Sequence, residues 1–270
     1  MQDIKDIKDI KATFIQTELF WKSPDKNLEM FSRKIAGIKK PTDLIILPEM
    51  FNTGFSMEVE KLSENMEGKS MQWMAASAAD KNSAVVASLI IKEGGAFYNR
   101  LVWMRPDGTY ACYDKGHLFR MEGENEHFKA GQKRLVTELK GWKFCPMICY
   151  DLRFPVWSRN RGDYDCLIYI ADWPEVRSYA WKTLLAARAI ENQAYVIGVN
   201  RIGEDGHGVS FSGDSVVIDP RGRKQSRTKA HQERIETITL SYNDLLKFRK
   251  KFQVHLDADD FNITGTGRGN

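Results

Sequence analysis

Three residues of types that could act together in catalysis each stand where a predicted β-strand ends. They are a carboxylate, an ammonium and a thiol: Glu49 after residues 44–48, Lys115 after residues 110–114, and Cys149 after residues 144–148. Polar groups just beyond strand ends commonly line the site of an α/β protein. A free thiol is only a few per cent thiolate at neutral pH. A neighbouring carboxylate can take its proton, and an ammonium can stabilise the thiolate or a later oxyanion.

Each of these residues also has an ordinary interpretation. A single Glu or Lys in a loop is usually a solvated charge, and a single Cys at the end of an apolar strand is more often a small core residue. Spacing by itself does not decide between a thiol site and three unrelated side chains.

The elements that must position these residues alternate between strands and helices early in the chain, and strands dominate later. An apolar stripe after Ser23 and Pro24 predicts a helix that Pro41 ends. Pro106-Asp-Gly108 predicts a hairpin turn. Apolar runs predict strands at 12–17, 43–47, 84–91, 97–105, 109–113, 142–148, 167–171, 194–199, 210–218 and 235–240, and apolar periodicity predicts helices at 70–81, 179–192 and 242–251.

No linker-like stretch divides the chain, so the sequence predicts one α/β domain over residues 12–256. Three Asp-Ile-Lys tripeptides lie within residues 1–11, which we expect to be a charged N-terminal extension. A polar tail is expected at residues 257–270.

Composition argues against membrane and secreted proteins. The chain has 270 residues, and 40 Lys and Arg against 36 Asp and Glu give a formal charge of only +4. No apolar run approaches the ~20 residues of a membrane span, and the N-terminus lacks the apolar stretch of a signal peptide. A cytoplasmic protein without a membrane partner is therefore predicted.

The cysteine pattern indicates neither disulfides nor a metal site. Cys145 and Cys149 share a predicted strand, where ~3.3 Å per residue would put their backbones about 13 Å apart, too far to bridge. Their spacing is not that of a redox or zinc pair, and the five His show no paired spacing. Reduced thiols and no metal are expected.

Binding of phosphate or nucleic acid is also not predicted. Gly203, Gly206 and Gly208 lack the spacing of the nucleotide-binding motifs. The basic segment 221–229 lies in a predicted hairpin without interleaved aromatic residues, which favours a solvated turn.

The sequence around the three candidate residues resembles the nitrilase, or carbon–nitrogen hydrolase, superfamily. The matching segments come in that family's order: Leu47-Pro-Glu-Met-Phe51, Tyr113-Asp-Lys-Gly-His-Leu-Phe119, Met147-Ile-Cys-Tyr-Asp-Leu-Arg-Phe-Pro155, Ala171-Asp-Trp-Pro174 and Ala187-Arg-Ala-Ile-Glu-Asn-Gln193. The resemblance runs from Ala12 to about Leu256, and within the family it is nearest to bacterial ω-amidases. It implies an α-β-β-α sandwich, homodimerisation and chemistry without a cofactor.

The resemblance also implies roles for particular residues. Glu49, Lys115 and Cys149 would form a Glu-Lys-Cys triad, with the backbone N–H of Tyr150 in the oxyanion site. A second family glutamate, counted back seven residues from Gly131, falls on Glu124, although Glu126 is close by.

Substrate recognition is assigned less directly. Arg153 lies four residues past Cys149, where carbamoylase relatives use a basic residue to hold a substrate carboxylate; the alternative is an ion pair with Asp151. Phe119 and Trp173 are expected as pocket walls or as core residues. His117 is expected to pack in its loop, and Arg201 and His207 lie in a Gly-rich loop that could approach the site.

The predicted function is hydrolysis of the terminal amide of a small dicarboxylic acid monoamide of the α-ketoglutaramate or α-ketosuccinamate type. The alternatives are hydrolysis of N-carbamoyl acids by the same triad, and a binding or scaffold protein that has kept the fold without the activity. Phe154 and Trp157 are candidates for either a dimer contact or the core.

Overall fold

The structure is a computed structural model and describes residues 7–263. Within this range two β-sheets pack face to face, and helices cover the outer face of each sheet. This arrangement confirms the predicted α-β-β-α sandwich.

The first sheet has six strands. They are β1 (Ile10–Gln16), β2 (Leu44–Ile46), β3 (Ala84–Glu93), β4 (Ala96–Met104), β5 (Tyr110–Asp114) and β13 (Arg234–Leu240). Their order is β13-β1-β2-β3-β4-β5, and β1, β2 and β3 are parallel to one another. The short turn at residues 105–109 joins β4 to β5, as the hairpin signal predicts.

The second sheet has five strands in the order β12-β9-β8-β7-β6. They are β6 (Thr137–Leu139), β7 (Trp142–Ile148), β8 (Cys166–Ala171), β9 (Tyr195–Asn200) and β12 (Val216–Ile218). Strands β7, β8 and β9 are parallel, so their carboxyl ends lie at one edge. A separate ribbon pairs β10 (Ile202–Glu204) with β11 (Ser210–Ser212).

Helices and short helical turns fill the connections. The α-helices are α1 (Pro24–Ala36), α2 (Val59–Leu62), α3 (Lys69–Lys81), α4 (Glu124–His127), α5 (Pro155–Ser158), α6 (Ser178–Asn192) and α7 (Tyr242–Lys251). The 3₁₀ turns are Arg120–Glu122, Cys149–Arg153, Glu175–Arg177 and Val254–Asp257.

Successive side chains of a β-strand point to opposite faces of its sheet, so the first sheet contributes residues to two hydrophobic cores. In β2, Ile45 faces the cluster formed with α1 and α3, whereas Leu44 and Ile46 face the second sheet. The α6 residues Trp181 and Leu185 close the opposite side of the molecule. No helix in the described part of the chain has the length and hydropathy of a membrane span.

Three local predictions differ from the structure. Strand β1 begins at Ile10, which pairs with Leu240, two residues before the predicted start of the strand at Ala12. The predicted strand 210–218 is interrupted, because Gly213 and Asp214 adopt φ of 77° and 56° where the chain passes Gln16. Ser23 precedes α1 without donating or accepting a side-chain capping bond. The parts of the predicted extension and tail at 1–6 and 264–270 lie outside the described residues.

Candidate active site

Glu49, Lys115 and Cys149 meet between the two sheets. Lys115 directly follows β5 and Cys149 directly follows β7, whereas Glu49 lies three residues beyond β2. Because the sheets pack face to face, strand ends from both of them converge. The Cys149 thiol lies close enough to Glu49 and Lys115 for both charges to affect its ionisation.

Two of these strand ends are sharp turns with unusual backbone geometry. Cys149 has φ of 44°, and Met50, next to Glu49, has φ of 40°. A positive φ at a non-glycine residue costs on the order of 1 kcal/mol of conformational free energy, and residues strained in this way cluster at functional sites. At Cys149 the turn leads from β7 into the 3₁₀ helix, and the residue is half-buried.

The Lys115 ammonium lies between two buried carboxylates. Its Nζ donates to Glu49 Oε1 at 2.9 Å and lies 2.9 Å and 3.0 Å from the two carboxylate oxygens of Glu124. Glu124 Oε2 also accepts the Phe119 N–H at 2.6 Å. Glu124 is fully buried, whereas Glu126 is exposed, so the structure brings Glu124 and not Glu126 to the cluster.

Asn99 joins the two carboxylates and was not identified from the sequence. It lies on β4, and its Nδ2 donates to Glu49 Oε1 at 2.7 Å and to Glu124 Oε1 at 3.2 Å. The only available signal was a polar residue inside a predicted strand. A neutral donor at this position stabilises both carboxylates without adding a charge.

Asp172, the first residue after β8, is a second residue that sequence reasoning did not single out. Its backbone N–H donates to Glu49 Oε2 at 2.9 Å, and its Oδ2 accepts the Phe55 N–H at 2.8 Å. Burial raises the pKa of the Asp172 carboxyl to about 8; Arg201 opposes this shift and the Glu49 charge adds to it. Asp172 follows a predicted strand, so the strand-end rule that selected Cys149 could have selected it too.

Electrostatics define the resting protonation of the cluster. Burial raises the pKa of the Cys149 thiol well above its ordinary value; Glu49 raises it further and Lys115 opposes the shift. Burial lowers the pKa of Lys115, but the charges of Glu124 and Glu49 outweigh burial and hold it above its ordinary value. The resting site therefore contains a protonated thiol beside a charged ammonium.

A hydrogen-bond network ties the Lys115 loop to the Cys149 turn. Asp151 Oδ2 accepts from the Tyr113 hydroxyl at 2.7 Å and from the Ile148 N–H at 3.0 Å. Asp151 Oδ1 accepts from the His117 N–H at 3.0 Å and lies 2.8 Å from His117 Nδ1. The His117 ring stacks on Phe154. His117 thus packs within its loop, as expected.

The thiol opens into a cavity of about 330 Å³. Phe119, Tyr150, Arg153 and Trp173 all line it, so the predicted wall residues and the predicted carboxylate-binding residue share one surface with Cys149. Tyr150 stands in the first turn of a 3₁₀ helix, where backbone N–H groups have no acceptor one turn earlier. Its N–H can therefore serve an oxyanion at the thiol.

Arg153 is not paired with Asp151, which was its alternative interpretation. Its guanidinium carbon lies 4.9 Å from the centre of the Trp173 ring. The Asp151 oxygens are instead used by Tyr113, Ile148 and His117. Among residues 7–263, the Arg153 side chain forms no hydrogen bond or ion pair.

The Gly-rich loop contributes one of its two candidates. His207 lines the cavity and contacts the Trp21 ring edge-on at 5.5 Å. Arg201 is fully buried, and its Nη2 donates to the Glu204 carbonyl at 2.8 Å. Within the described residues, no group of three or more His, Cys, Asp or Glu could hold a metal ion.

Comparison with known proteins identifies the class. The sequence model of the carbon–nitrogen hydrolase family matches residues 11–250. The chain belongs to this family, and it is a hydrolase of carbon–nitrogen bonds other than peptide bonds.

Individual relatives narrow the comparison. The omega-amidase YafV of Escherichia coli (strain K12) is 44% identical over 254 residues, which cover 94% of this chain and 98% of that protein. The 2-oxoglutaramate amidase of Bacillus subtilis (strain 168) is 33% identical over 77% of this chain and 82% of its own. The crystal structure of XC1258 from Xanthomonas campestris, a CN-hydrolase superfamily protein with an arsenic adduct in its active site, is 40% identical with a TM-score of 0.92, covering 94% of this chain and 99% of that one.

Proposed function

We propose that this protein is an ω-amidase that hydrolyses the terminal amide of a small dicarboxylic acid monoamide of the α-ketoglutaramate or α-ketosuccinamate type. The observation that carries the proposal is the position of the Cys149 thiol. It lies beside the Glu49–Lys115–Glu124 cluster and lines a cavity whose wall also bears the unpaired guanidinium of Arg153.

The first half-reaction forms a thioester. As Cys149 Sγ attacks the amide carbonyl carbon, Glu49 takes the thiol proton. The oxyanion is held by the Lys115 ammonium and the Tyr150 N–H. Removal of one such donor typically lowers kcat about 10²–10³-fold. The tetrahedral intermediate then breaks its C–N bond, and the proton on Glu49 passes to the leaving nitrogen, which departs as ammonia.

The second half-reaction returns the enzyme to its starting state. Glu49 takes a proton from water as the water oxygen attacks the thioester carbonyl. Collapse of the second intermediate breaks the C–S bond and releases the carboxylic acid, and the proton on Glu49 returns to the thiolate. Glu124 acts as a positioning residue, since its two oxygens hold Lys115 and the Phe119 N–H.

The raised pKa of Cys149 supports this order of events. A thiol that keeps its proton at rest needs a base in contact with it during attack, rather than a preformed thiolate. Glu49 is held for that role by three donors, from Lys115, Asn99 and the Asp172 backbone.

Substrate choice is supported by the Arg153 guanidinium on the cavity wall. Arg153 can make a bidentate contact with a carboxylate while its face stays on Trp173. A monoamide of a short dicarboxylic acid places a carboxylate a few bonds from its amide. The names of the E. coli and B. subtilis relatives fit the same substrate class.

Ammonia release from α-ketoglutaramate tests the proposal. We expect wild-type protein to release ammonia much faster than it does from glutamine, and Cys149→Ala to release none above background. Cys112→Ala is the matched control, because this half-buried thiol lies outside the cavity, and its activity should equal that of wild type. Activity in Cys149→Ala would overturn the mechanism, and hydrolysis of N-carbamoyl acids alone would overturn the substrate class.

We also propose a cytoplasmic homodimer. The Cys149 thiol must stay reduced to act, which suits a reducing compartment. Val176, in the 3₁₀ turn Glu175–Arg177, and Tyr179, in the first turn of α6, are 85% and 82% exposed and offer an apolar contact. Trp157, by contrast, is buried in the core, so its expected alternative role in a dimer contact gains no support.

A further inference from the structure

Arg177 is a second guanidinium on the wall of the thiol cavity. It ends the 3₁₀ turn Glu175–Arg177, and it lines the same cavity as Cys149. Its guanidinium carbon lies 5.3 Å from the centre of the Phe119 ring, and its Nη2 lies 3.1 Å from Met121 Sδ. Arg177 lies in none of the matching sequence segments, and the hydrolysis steps proposed above do not use it.

Within residues 7–263 Arg177, like Arg153, forms no ion pair, whereas both lysines on the cavity wall are paired. Lys22 on the cavity wall forms an ion pair with Glu58, and Lys115 is bound by two glutamates. Among residues 7–263, the Arg177 side chain contacts no carboxylate. A half-buried guanidinium without an anion leaves charged donors unsatisfied, and a ligand anion can satisfy them.

Trp173 connects Arg177 to Arg153. Trp173 Nε1 donates to the Arg177 carbonyl at 2.8 Å, and the same Trp173 ring lies beneath Arg153. Each guanidinium thus lies over an aromatic ring, Arg153 over Trp173 and Arg177 over Phe119. Stacking occupies the face of a guanidinium and leaves its N–H edge free for oxygen acceptors.

We infer that Arg177 is a specificity-determining residue that, with Arg153, binds the α-keto carboxylate end of the substrate. The inference rests on the proposed ω-amidase function and extends it. A carboxylate offers about four lone-pair sites, and the adjacent keto oxygen adds further acceptors. Together these acceptors exceed what the fork of one guanidinium can bind. A two-guanidinium receptor therefore favours α-keto acid amides over amides that lack an anionic end.

The test compares Arg177→Gln with wild type on two substrates, α-ketoglutaramate and the neutral amide valeramide. Loss of a charge-assisted bidentate contact should lower kcat/KM for α-ketoglutaramate about 10–100-fold. The kcat/KM for valeramide, which has no carboxylate, should change less than about twofold. As a competitive inhibitor, α-ketoglutarate should bind Arg177→Gln correspondingly more weakly than wild type. Arg177→Lys should fall between wild type and Arg177→Gln, because it keeps the charge and loses the fork.

Arg221→Gln is the matched control. Arg221 also lies over an aromatic ring, 4.5 Å from the centre of Phe248, but it does not line the cavity. Its kinetics should equal those of wild type on both substrates.

The outcomes separate this inference from the proposed function. If wild type hydrolyses α-ketoglutaramate and Arg177→Gln does so equally well, or loses the same factor on valeramide, the assignment of Arg177 is overturned alone. If wild type fails to hydrolyse α-ketoglutaramate, the ω-amidase function is overturned and the assignment of Arg177 with it.

Discussion

At the residue scale, the cluster is a set of buried charges that depend on one another. Lys115 is shared by Glu49 and Glu124, and all three side chains are at most 1% exposed. Removing one member of a buried ion pair is strongly destabilising, because it leaves the other charge unpaired in a medium of low polarity. Neutral neighbours are better probes of how the cluster is positioned.

Asn99→Ala should reduce kcat about 10–100-fold. The substitution removes the donor that holds Glu49 at 2.7 Å, and hydrogen bonds to charged groups contribute about 1.5–3 kcal/mol. The measurement is kcat for ammonia release, together with the urea midpoint of unfolding.

Asn27→Ala is the control for Asn99. Asn27 is a buried amide that donates to two backbone carbonyls, Phe20 and Asn52, and does not line the cavity. It should lower stability and leave kcat nearly unchanged. Equal losses of kcat in both variants would show that Asn99 acts only through stability.

Asp172 should make the protein less stable at alkaline pH. Its pKa is about 8 in the folded state against an ordinary value of 3.8, so the folded state holds a proton that the unfolded state has lost between these values. The contribution of Asp172 to the free energy of unfolding is fully present below about pH 4 and is lost as pH rises through about 8. Arg201, Glu49 and Asp205 are the charges that face it.

Asp172→Asn should therefore flatten the fall in stability with pH. An amide oxygen can still accept the Phe55 N–H, but the residue no longer titrates. The measurement is the urea midpoint at pH 6 and pH 9, with Asp107→Asn as control, because hydrogen bonds from Thr109 lower the pKa of this exposed carboxylate. A wild-type protein that gains stability from pH 6 to pH 9 relative to Asp172→Asn would contradict the prediction.

At the element scale, the site depends on connections between strand ends. Asp151, in the turn after β7, binds the Tyr113 hydroxyl of β5, and the Tyr113 hydroxyl in turn accepts the Gly116 N–H at 3.0 Å. These bonds fix the Lys115 loop of one sheet to the Cys149 turn of the other.

The packing of α6 on β9 is tight at Gly198. An added Cβ there would lie 2.5 Å from Leu185 Cδ1 and 2.9 Å from Trp181 Cζ2. Gly198→Ala should therefore lower the free energy of unfolding by about 1–3 kcal/mol, as expected for overpacking. Urea denaturation measures the change.

Gly37→Ala provides the contrast for Gly198. Gly37 has φ of −71°, and its added Cβ would meet only carbonyl oxygens at 3.4 Å and 3.5 Å. It should be neutral or stabilise by up to about 1 kcal/mol through the unfolded state. If Gly198→Ala were as stable as Gly37→Ala, α6 would not be closely fitted to β9.

At the scale of the whole molecule, the proposed homodimer is tested by light scattering. We expect a mass of twice the 31.0 kDa chain at micromolar concentration. Tyr179→Asp should shift the protein toward one chain, because it places a charge on the exposed apolar start of α6. Tyr110→Asp, on β5, is the control and should keep the wild-type mass. A wild-type mass of one chain would overturn the homodimer.

The sequence by itself predicted the longer strands and helices and pointed to Glu49, Lys115 and Cys149, but it did not predict the short elements β6, β10, α2, α4 and α5. Apolar runs, apolar periodicity and proline positions are local signals, and they predicted α7 to the residue and β7 to the residue. The resemblance to the carbon–nitrogen hydrolases, now confirmed as membership, pointed to Glu49, Lys115 and Cys149 because their neighbouring residues are contiguous in the chain.

Only the tertiary structure decided which distant side chains meet those residues. Asn99 and Asp172 reach Glu49 across 50 and 123 residues of sequence, and Arg177 shares a wall with Arg153 through Trp173. The choice of Glu124 over Glu126 depends on which side chain is buried beside Lys115. Such contacts are set by how two sheets pack, and a local pattern contains no information about the facing sheet.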